Sequence, residues 1–513
     1  DDLKAVVRFV SEHKKDNPNL SITPRSRGTD MSGGAIGDSI VLDVSKHMTT
    51  LVGVSSDQAT VQPGMMYKDF EIETLKQGSL LPSYPASRDL ASVGGMMSNN
   101  SGGEKSLEYG KTDNFVTELK MVLSDGNEYV VKPLTKAELV RKMSQGDFEG
   151  DLYKRTFELL EAHYDEIQAA KPNVSKDSTG YHLWNVWNRE TGIFDLTKLF
   201  VGAQGTLGMI SEGTVKLVPH RAHSGLLVMF LRDIDDLGEL IPAVLKHNPA
   251  TFESFDDKTL WLSIKFMPSF LKLLGPARFI RLLINLIPDG LQLLRGIPKL
   301  VLMVEFNGDT EQEVRQKIKN LHKELRDSPA VKTRHARYEI NGFEETPTEG
   351  RSEKFWVMRR YSFQLLRSKV KDKHTAPFID DFVVPPAHLA EFLPKLRTII
   401  KKYKLFATIA GHMGDGNFHV IPLMKIEDPN ERAKLEPAMR EVNNLVIHYG
   451  GSVSGEHNDG MVRGPWLKEM YGEQVLGYMK EIKAIYDPDN IFNPHKKTDA
   501  TWEFSFSHIR EKF

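Results

Sequence analysis

The chain has 513 residues, 40% hydrophobic and 27% charged, enough for two or more domains around sizeable cores. Its 67 basic residues stand against 69 acidic ones, so it lacks the net basic signature of a phosphate-backbone binder, and no nucleic-acid partner is expected. Without cysteine it can form no disulfide, thiol nucleophile or cysteine-ligated cluster, and any metal must use His, Asp or Glu.

The opening stretch "DDLKAVVRFVSEHKK" reads as an amphipathic helix with Leu3, Val6, Val7 and Val10 on one face. The chain does not begin with Met, from which a trimmed N-terminus lacking a strand or two is expected. Next, "PRSRGTDMSGGAIGDSIVLDVSKHM", 24–48, sets Gly28, Gly33, Gly34 and Gly37 before an apolar strand. Bare N–H groups in such a loop make a concave anion site, with a glycine-rich surface loop as the plain alternative. A helix is expected from Tyr67 to Gln77, stopped by Gly78. A second loop, 85–112, "PASRDLASVGGMMSNNSGGEKSLEYGKT", interleaves Gly94, Gly95, Gly102 and Gly103 with Ser87, Ser92, Asn99 and Ser101. Neither loop has the GxGxxG or GxxxxGK[ST] spacing, so neither a Rossmann fold nor a P-loop accounts for them. "ELKMVLSDGNEYVVK" is a hairpin signal turning at Asp125-Gly126. The texture to about Pro219 is that of an α+β domain.

From about Ala222 strands alternate with longer helices, among them "TEQEVRQKIKNLHKELRD" and "PPAHLAEFLPKLRTIIKKYK", which indicates a second domain. Within it, residues 265–299 are rich in Leu, Ile and Phe and carry only basic charges apart from Asp289. They read either as an element lying on an anionic membrane surface, or as an internal helical hairpin or oligomer interface such as a homodimer's. No apolar run reaches the ~18–20 residues of a membrane span and no secretory signal is apparent. A cytoplasmic location, with peripheral contact to the inner membrane as the variant, is the resulting expectation. "LFATIAGHMGDGNFHVIPLM", 405–424, reads as strand, turn and returning strand, bringing His412 and His419 side by side. "GGSVSGEHNDG", 450–460, then offers Glu456 and His457 in a glycine-bounded loop. Two imidazoles and a carboxylate suit Zn²⁺, or Mn²⁺ or Fe²⁺, with positions left for substrate. On residues alone, a buried hydrogen-bonded histidine pair and a loop-capping carboxylate fit as well. An amphipathic helix over 474–486 precedes "DPDNIFNPHK".

Seven stretches in one order resemble a known family: "RSRGTDMSGGAIG", "PASRDLASVGGMMSNNSGG", "YGKT", "LFVGAQGTLGMISEGTVKLVP", "GHMGDGNFHV", "SGEHNDG" and "DPDNIFNPHK". The family is the flavoproteins of the vanillyl-alcohol oxidase type, more narrowly the D-lactate and D-2-hydroxy acid dehydrogenase branch, and the resemblance covers nearly the whole chain. It implies an α+β fold: a two-subdomain PCMH-type FAD-binding domain over 1–220, an α/β cap with an antiparallel sheet over 221–460, and a segment 461–513 returning to the flavin. It implies that FAD is held by Arg27, Gly28, Thr29, Asp30, Ser32, Gly33 and Gly34 of the first loop. From the second loop it takes Pro85, Ser87, Ser92, Gly94, Gly95, Asn99, Ser101, Gly102, Tyr109 and Gly110. Gly202, Gly205, Thr206, Gly208 and Ile210 would line the dinucleotide through their backbones, with Asn493 and Lys496 near the C-terminus. His495 replaces the usual Gly beside that lysine. Members with covalent flavin often place a His in the first loop; Gly28-Thr29-Asp30 here implies non-covalent FAD.

For the site itself the resemblance implies His412, His419 and Glu456 as metal ligands, His457 as general base and Arg359 as clamp for the substrate carboxylate, with Arg360 as fallback. Imidazole titrates near neutral pH, which suits the base. Where the D-2-hydroxyglutarate branch has a Lys and an Asn for its substrate, this chain has Ile379 and Ile421. That change favours a shorter or apolar substrate side chain. The expected activity is oxidation of a D-lactate-like 2-hydroxy acid to the 2-oxo acid, with hydride to flavin N5. Electrons then pass to a quinone, a cytochrome, an electron-transfer flavoprotein or oxygen. The alternatives are a non-redox transferase of the alkyl-glycerone-phosphate synthase type, which "SGEHNDG" disfavours, and a non-catalytic electron-transfer subunit, which would not need all four of His412, His419, Glu456 and His457.

Overall fold

A computed structural model of the chain describes residues 1–231, 237–265, 275–277, 279–280, 298–327, 336–340, 354–360 and 373–511. Most of the basic apolar stretch 265–299 lies outside the described residues. The chain divides into two units, one of Asp1–Gly103, Tyr109–His220 and Ser452–Ile509, the other of Glu104–Glu108, Arg221–Gly451 and Arg510–Phe513. Ser452–Gly460, grouped by sequence with the second region, thus falls in the first unit.

The first unit is built on a five-stranded antiparallel sheet in the order Leu51–Val54, Gln58–Val61, Met209–Lys216, Val116–Val122, Glu128–Val131. The last two strands form the hairpin turned by Asp125-Gly126, where Gly126 takes φ 72°. Burial alternates along Met209–Lys216, with Met209, Ser211, Gly213 and Val215 buried, as the period of a half-buried strand requires. The helix Leu467–Tyr486 buries Leu467, Val475, Met479 and Ile482 in the same core, and its one non-helical residue, Gly472 (φ 73°), divides it. A smaller cluster joins the N-terminal helix Asp2–His13 through Leu3, Val7 and Val10 to Ile22 and Phe492. Beside it Ile22–Arg25 and Ile40–Asp43 pair in parallel, and the first glycine loop is the connection between them.

The second unit carries an antiparallel sheet in the order Ala336–Ile340, His223–Leu231, Leu300–Gly308, Thr251–Asp256, Phe406–His412, Asn417–Met424, His374–Thr375, with Phe382–Val383 also on Asn417–Met424. Residues directly opposite in an antiparallel pair share a face, so the register assigns faces without further assumption. One face holds Leu226, Val228, Val301, Met303 and Phe255, covered by Phe355, Trp356 and Met358 of the helical stretch 354–360. The same face continues into Glu253, His412, Asn417 and His419. Among the described residues, no helix is long and apolar enough to cross a membrane.

Candidate functional site

In the first unit the glycine loops are shaped by close backbone approach. A Cβ on Gly94 would lie 2.4 Å from Pro63 Cα, so this start of the helix Val93–Asn99 tolerates no side chain without backbone movement. Ser92 caps that helix, its hydroxyl accepting from Gly95 N at 3.3 Å. In the first loop Asp30 accepts from Ser32 N at 3.2 Å and Gly34 N at 2.6 Å, while Gly28 takes φ 61°. Arg27 is exposed, Thr29 and Gly33 half-buried, and Ser32 and Gly34 buried. In the second loop Pro85 and Ser87 are half-buried and Ser101 and Gly102 buried; the Ser87 carbonyl accepts from Leu90 and Ala91, that of Ser101 from Thr112. Tyr109 packs on the core and Gly110 takes φ 77°.

The third stretch is tied to both loops. Gly202 N donates to Met97 O, and Gln204 Nε2 donates to Ser32 Oγ and Asn99 Oδ1, each at 3.2 Å. Gly205 and Gly208 take φ 68° and 147°; the Thr206 hydroxyl is held between Tyr181 and Ala203 O; Ile210 sits in the sheet opposite Met121. Asn493 donates to Gly34 O and Gln204 O, both at 2.8 Å, and so clamps the first loop to the third. Its Oδ1 and the Nδ2 of Asn100 are buried without a protein partner. Unused buried polar atoms beside loops that exclude Cβ atoms fit a group rich in acceptors and donors, as FAD is. His495 adopts φ 62°, the backbone region that glycine favours, and stacks on Phe504 with 3.8 Å between ring centroids. Next to it burial pushes Lys496 down to about 8, opposed by Asp38, Asp499 and Asp30.

The loop Ser452–Gly460 of this unit is held almost atom by atom. Gly455 O accepts from Lys111 Nζ at 2.7 Å and Ser178 Oγ at 3.0 Å, and Glu456 O accepts from Asn99 Nδ2 at 2.9 Å. The Glu456 carboxylate lies 3.3 Å from Nζ of Lys176, a fully buried lysine that also donates to Gly103 O. His457 Nε2 is 4.0 Å from Glu456 Oε1. Asn458, at φ 67°, donates to Gly202 O and Asn99 O, and Asp459 pairs with the fully buried Lys497 at 2.8 Å. Nearby, burial opposes ionisation of Asp177, yet hydrogen bonds and charge from His182 and hydrogen bonds from Thr179 bring it down to about 2.

In the second unit the expected hairpin forms, with Gly416 at φ 69° closing the turn. The four-residue turn sets His412 opposite Asn417 and His419 opposite Ala410, so the imidazoles are diagonal rather than face to face, with centroids 5.5 Å apart. Each has Nδ1 against a buried carboxylate: His412 on Glu253 Oε1 at 2.6 Å, His419 on Asp380 Oδ1 at 3.1 Å. A carboxylate there accepts the Nδ1 proton and leaves Nε2 with its lone pair, the tautomer a metal ligand needs. This donor chemistry fits a divalent cation. Asp381, at φ 70°, accepts from Asn417 Nδ2 at 3.1 Å, and its carboxylate has an oxygen within 4.8 Å of a His419 ring nitrogen. Arg359 pairs with Glu253 and brings Nη2 to 3.4 Å from His412 Nδ1. Arg360, the fallback, makes a two-point ion pair with Glu104 instead. Ile421 is buried on the His419 face, and Ile379 is buried immediately before Asp380.

Glu253, Asp380, Asp381 and Lys176 escaped the sequence reading. Glu253 had a usable signal, a lone carboxylate in "ATFESF", where every residue of Thr251–Asp256 proves buried. Asp380 and Asp381 directly follow Ile379 but carry no spacing rule, and Lys176 none either.

Comparison with known proteins bears on the family and the fold. The family described as "FAD linked oxidases, C-terminal domain" matches residues 221–497, more than half of the chain, and "FAD binding domain" matches 1–132. The D-2-hydroxyglutarate dehydrogenase of Pseudomonas putida is 27% identical over 97% of this chain and 47% of its own length, so the chain spans about half of that relative. The glycolate oxidase subunit GlcD of Bacillus subtilis is 26% identical over 97% of this chain and 86% of its own. Among solved structures, 4-ethylphenol oxidase from Gulosibacter chungangensis shares the fold with a TM-score of 0.65 at 15% identity, covering 98% of this chain and 88% of its own. A PCMH-type flavin fold, an FAD-binding segment and a matching C-terminal region together mean that this chain belongs to the FAD-linked oxidases.

Proposed function

We propose that this chain oxidises a short 2-hydroxy acid, D-lactate first, to the 2-oxo acid. The observation that carries the reading is the pair of histidines, His412 and His419, each with Nδ1 on a buried carboxylate. His412, His419 and Glu456 would hold a divalent cation, Zn²⁺ first, and the loops at 27–34, 85–110 and 202–210 with Asn493 and Lys496 would hold FAD without a covalent bond. When bound, the cation supplies a Lewis acid for the hydroxyl oxygen and the flavin supplies a hydride acceptor at N5.

The chain's own residues supply the rest. His457 accepts the hydroxyl proton, which requires its neutral form. Arg359 binds the substrate carboxylate in bidentate fashion and fixes the α-carbon. Ile379 and Ile421 offer apolar surface where a distal carboxylate would need a cation or an amide, which favours lactate- or glycolate-sized acids over 2-hydroxyglutarate. The relative named as a glycolate oxidase subunit, matched over most of its length, supports the same reading.

The test is anaerobic mixing of the FAD-loaded chain with D- and L-lactate, glycolate and D-2-hydroxyglutarate while flavin absorbance is followed. D-lactate is expected to bleach the flavin, and metal removal by EDTA or Glu456→Gln to abolish bleaching with FAD retained. Bleaching that survives metal removal eliminates the metal role; bleaching by D-2-hydroxyglutarate alone eliminates the short-substrate reading.

A further inference from the structure

We propose that Glu253 is a positioning residue that couples the substrate arginine to a metal histidine, so that neither Arg359 nor His412 is set independently of the other. This rests on the reading above.

The register makes the case first. Glu253 is directly opposite His412 in the antiparallel pair Thr251–Asp256 with Phe406–His412, so backbone pairing alone delivers a carboxylate to this imidazole. Its carboxylate is almost fully excluded from water, with a side-chain exposure of 1%. Oε1 meets His412 Nδ1 at 2.6 Å and Oε2 meets the Arg359 guanidinium. Arg359 Nη2 and His412 Nδ1 lie 3.4 Å apart, and with the Nδ1 proton directed at Glu253 Oε1 both present donors to that carboxylate. Two donors this close are held together only by a shared acceptor, and a buried carboxylate with one oxygen for each is that acceptor.

Two consequences follow for the proposed chemistry. Glu253 fixes the His412 tautomer with Nε2 as the ligand atom, which strengthens it as a metal ligand. It also holds one part of the guanidinium and so sets the direction in which Arg359 meets a substrate carboxylate. A group contacting neither substrate nor cation thereby sets both metal affinity and substrate affinity.

The test uses the FAD-loaded 513-residue chain, stripped of metal and titrated with Co²⁺ followed by its visible absorbance. Glu253→Gln keeps the shape but leaves one acceptor oxygen where two are needed, because its amide nitrogen can only donate. It is expected to weaken Co²⁺ binding 10–100-fold and to raise the KM for D-lactate, with FAD content unchanged. Arg359→Lys leaves Glu253 in place and keeps the charge, yet it removes the fork. It is expected to weaken Co²⁺ binding several-fold although residue 359 is no ligand, and it serves if Glu253→Gln does not fold. Co²⁺ affinity within twofold of wild type in either folded variant overturns the coupling while leaving the metal reading intact. A wild-type chain that takes up no Co²⁺ overturns the metal reading and this role with it.

Discussion

The two units assemble their chemical groups in different ways. In the second unit a sheet register does the work: Glu253, His412, Asn417 and His419 occupy adjoining positions on one face because two strand pairings put them there. In the first unit Glu456 and His457 lie in a loop, fixed by single hydrogen bonds and ion pairs from Asn99, Lys111, Lys176, Gln204 and Lys497. A register fails only if a strand slips, whereas a tethered loop fails when one tether goes. The first unit is therefore expected to be more sensitive to single polar substitutions, the second to apolar ones.

Removing one tether gives the largest expected effect. Lys497→Met leaves Asp459 charged and buried, which costs about 3–5 kcal/mol. Thermal unfolding and FAD retention report it, and a loss under 1 kcal/mol would contradict the tether picture. The equivalent blow to the second unit is Phe255→Ala on the sheet face, also about 3–5 kcal/mol. There FAD retention should change less than unfolding of the second unit, as followed by hydrogen exchange.

His457→Ala separates chemistry from stability: flavin bleaching by D-lactate should slow roughly 10²–10⁴-fold, the range for a lost general base, with unfolding temperature unmoved. A rate within tenfold of wild type assigns the base elsewhere.

A smaller effect belongs to pH. Burial pushes Glu305 up to about 7, further raised by Glu104 and Glu253 and opposed by Lys105 and Arg360, against an ordinary value of 4.5. Between those values the folded chain binds more protons than the unfolded one, so stability present at low pH is lost as pH rises from 4.5 through 7. Glu305→Gln should flatten that decline in unfolding scans from pH 5 to 8; a parallel decline in the variant would rule Glu305 out. Smallest is Ser92→Ala, about 1 kcal/mol for a lost helix cap, read from chemical denaturation.

Much of this was legible beforehand because the signals were local. The Asp125-Gly126 hairpin, the helix ending at Gly78 and the strand-turn-strand around Gly414-Asp415-Gly416 each follow from turn chemistry within a few residues. The histidine pair was legible to within one diagonal step, because the count of turn residues fixes the register and sequence alone leaves that count open. Lys176 was not legible, and Glu253 only as a lone carboxylate in an apolar stretch, without its partner: each contacts a residue more than 150 positions away. Nothing in the texture around a lone lysine says which distant carboxylate it will meet. His495 shows the converse, since its replacement of glycine was visible while its left-handed backbone and its ring stack on Phe504 were not.

The division of the chain has a consequence in time. The first unit takes its polypeptide from both sides of the second, resuming only at Ser452. A ribosome has therefore emitted the loops at 27–34, 85–110 and 202–210 well before Lys497, Asn493 and the helix Leu467–Tyr486 exist to brace them. At ordinary elongation speeds of ~5–20 residues per second, the interval is on the order of 10–50 s. During that wait Leu81, Phe194 and Leu199, which share a core with Met479 and Ile482, remain uncovered by that helix. The late C-terminal stretch thus sets when the first unit of a nascent molecule can close its core.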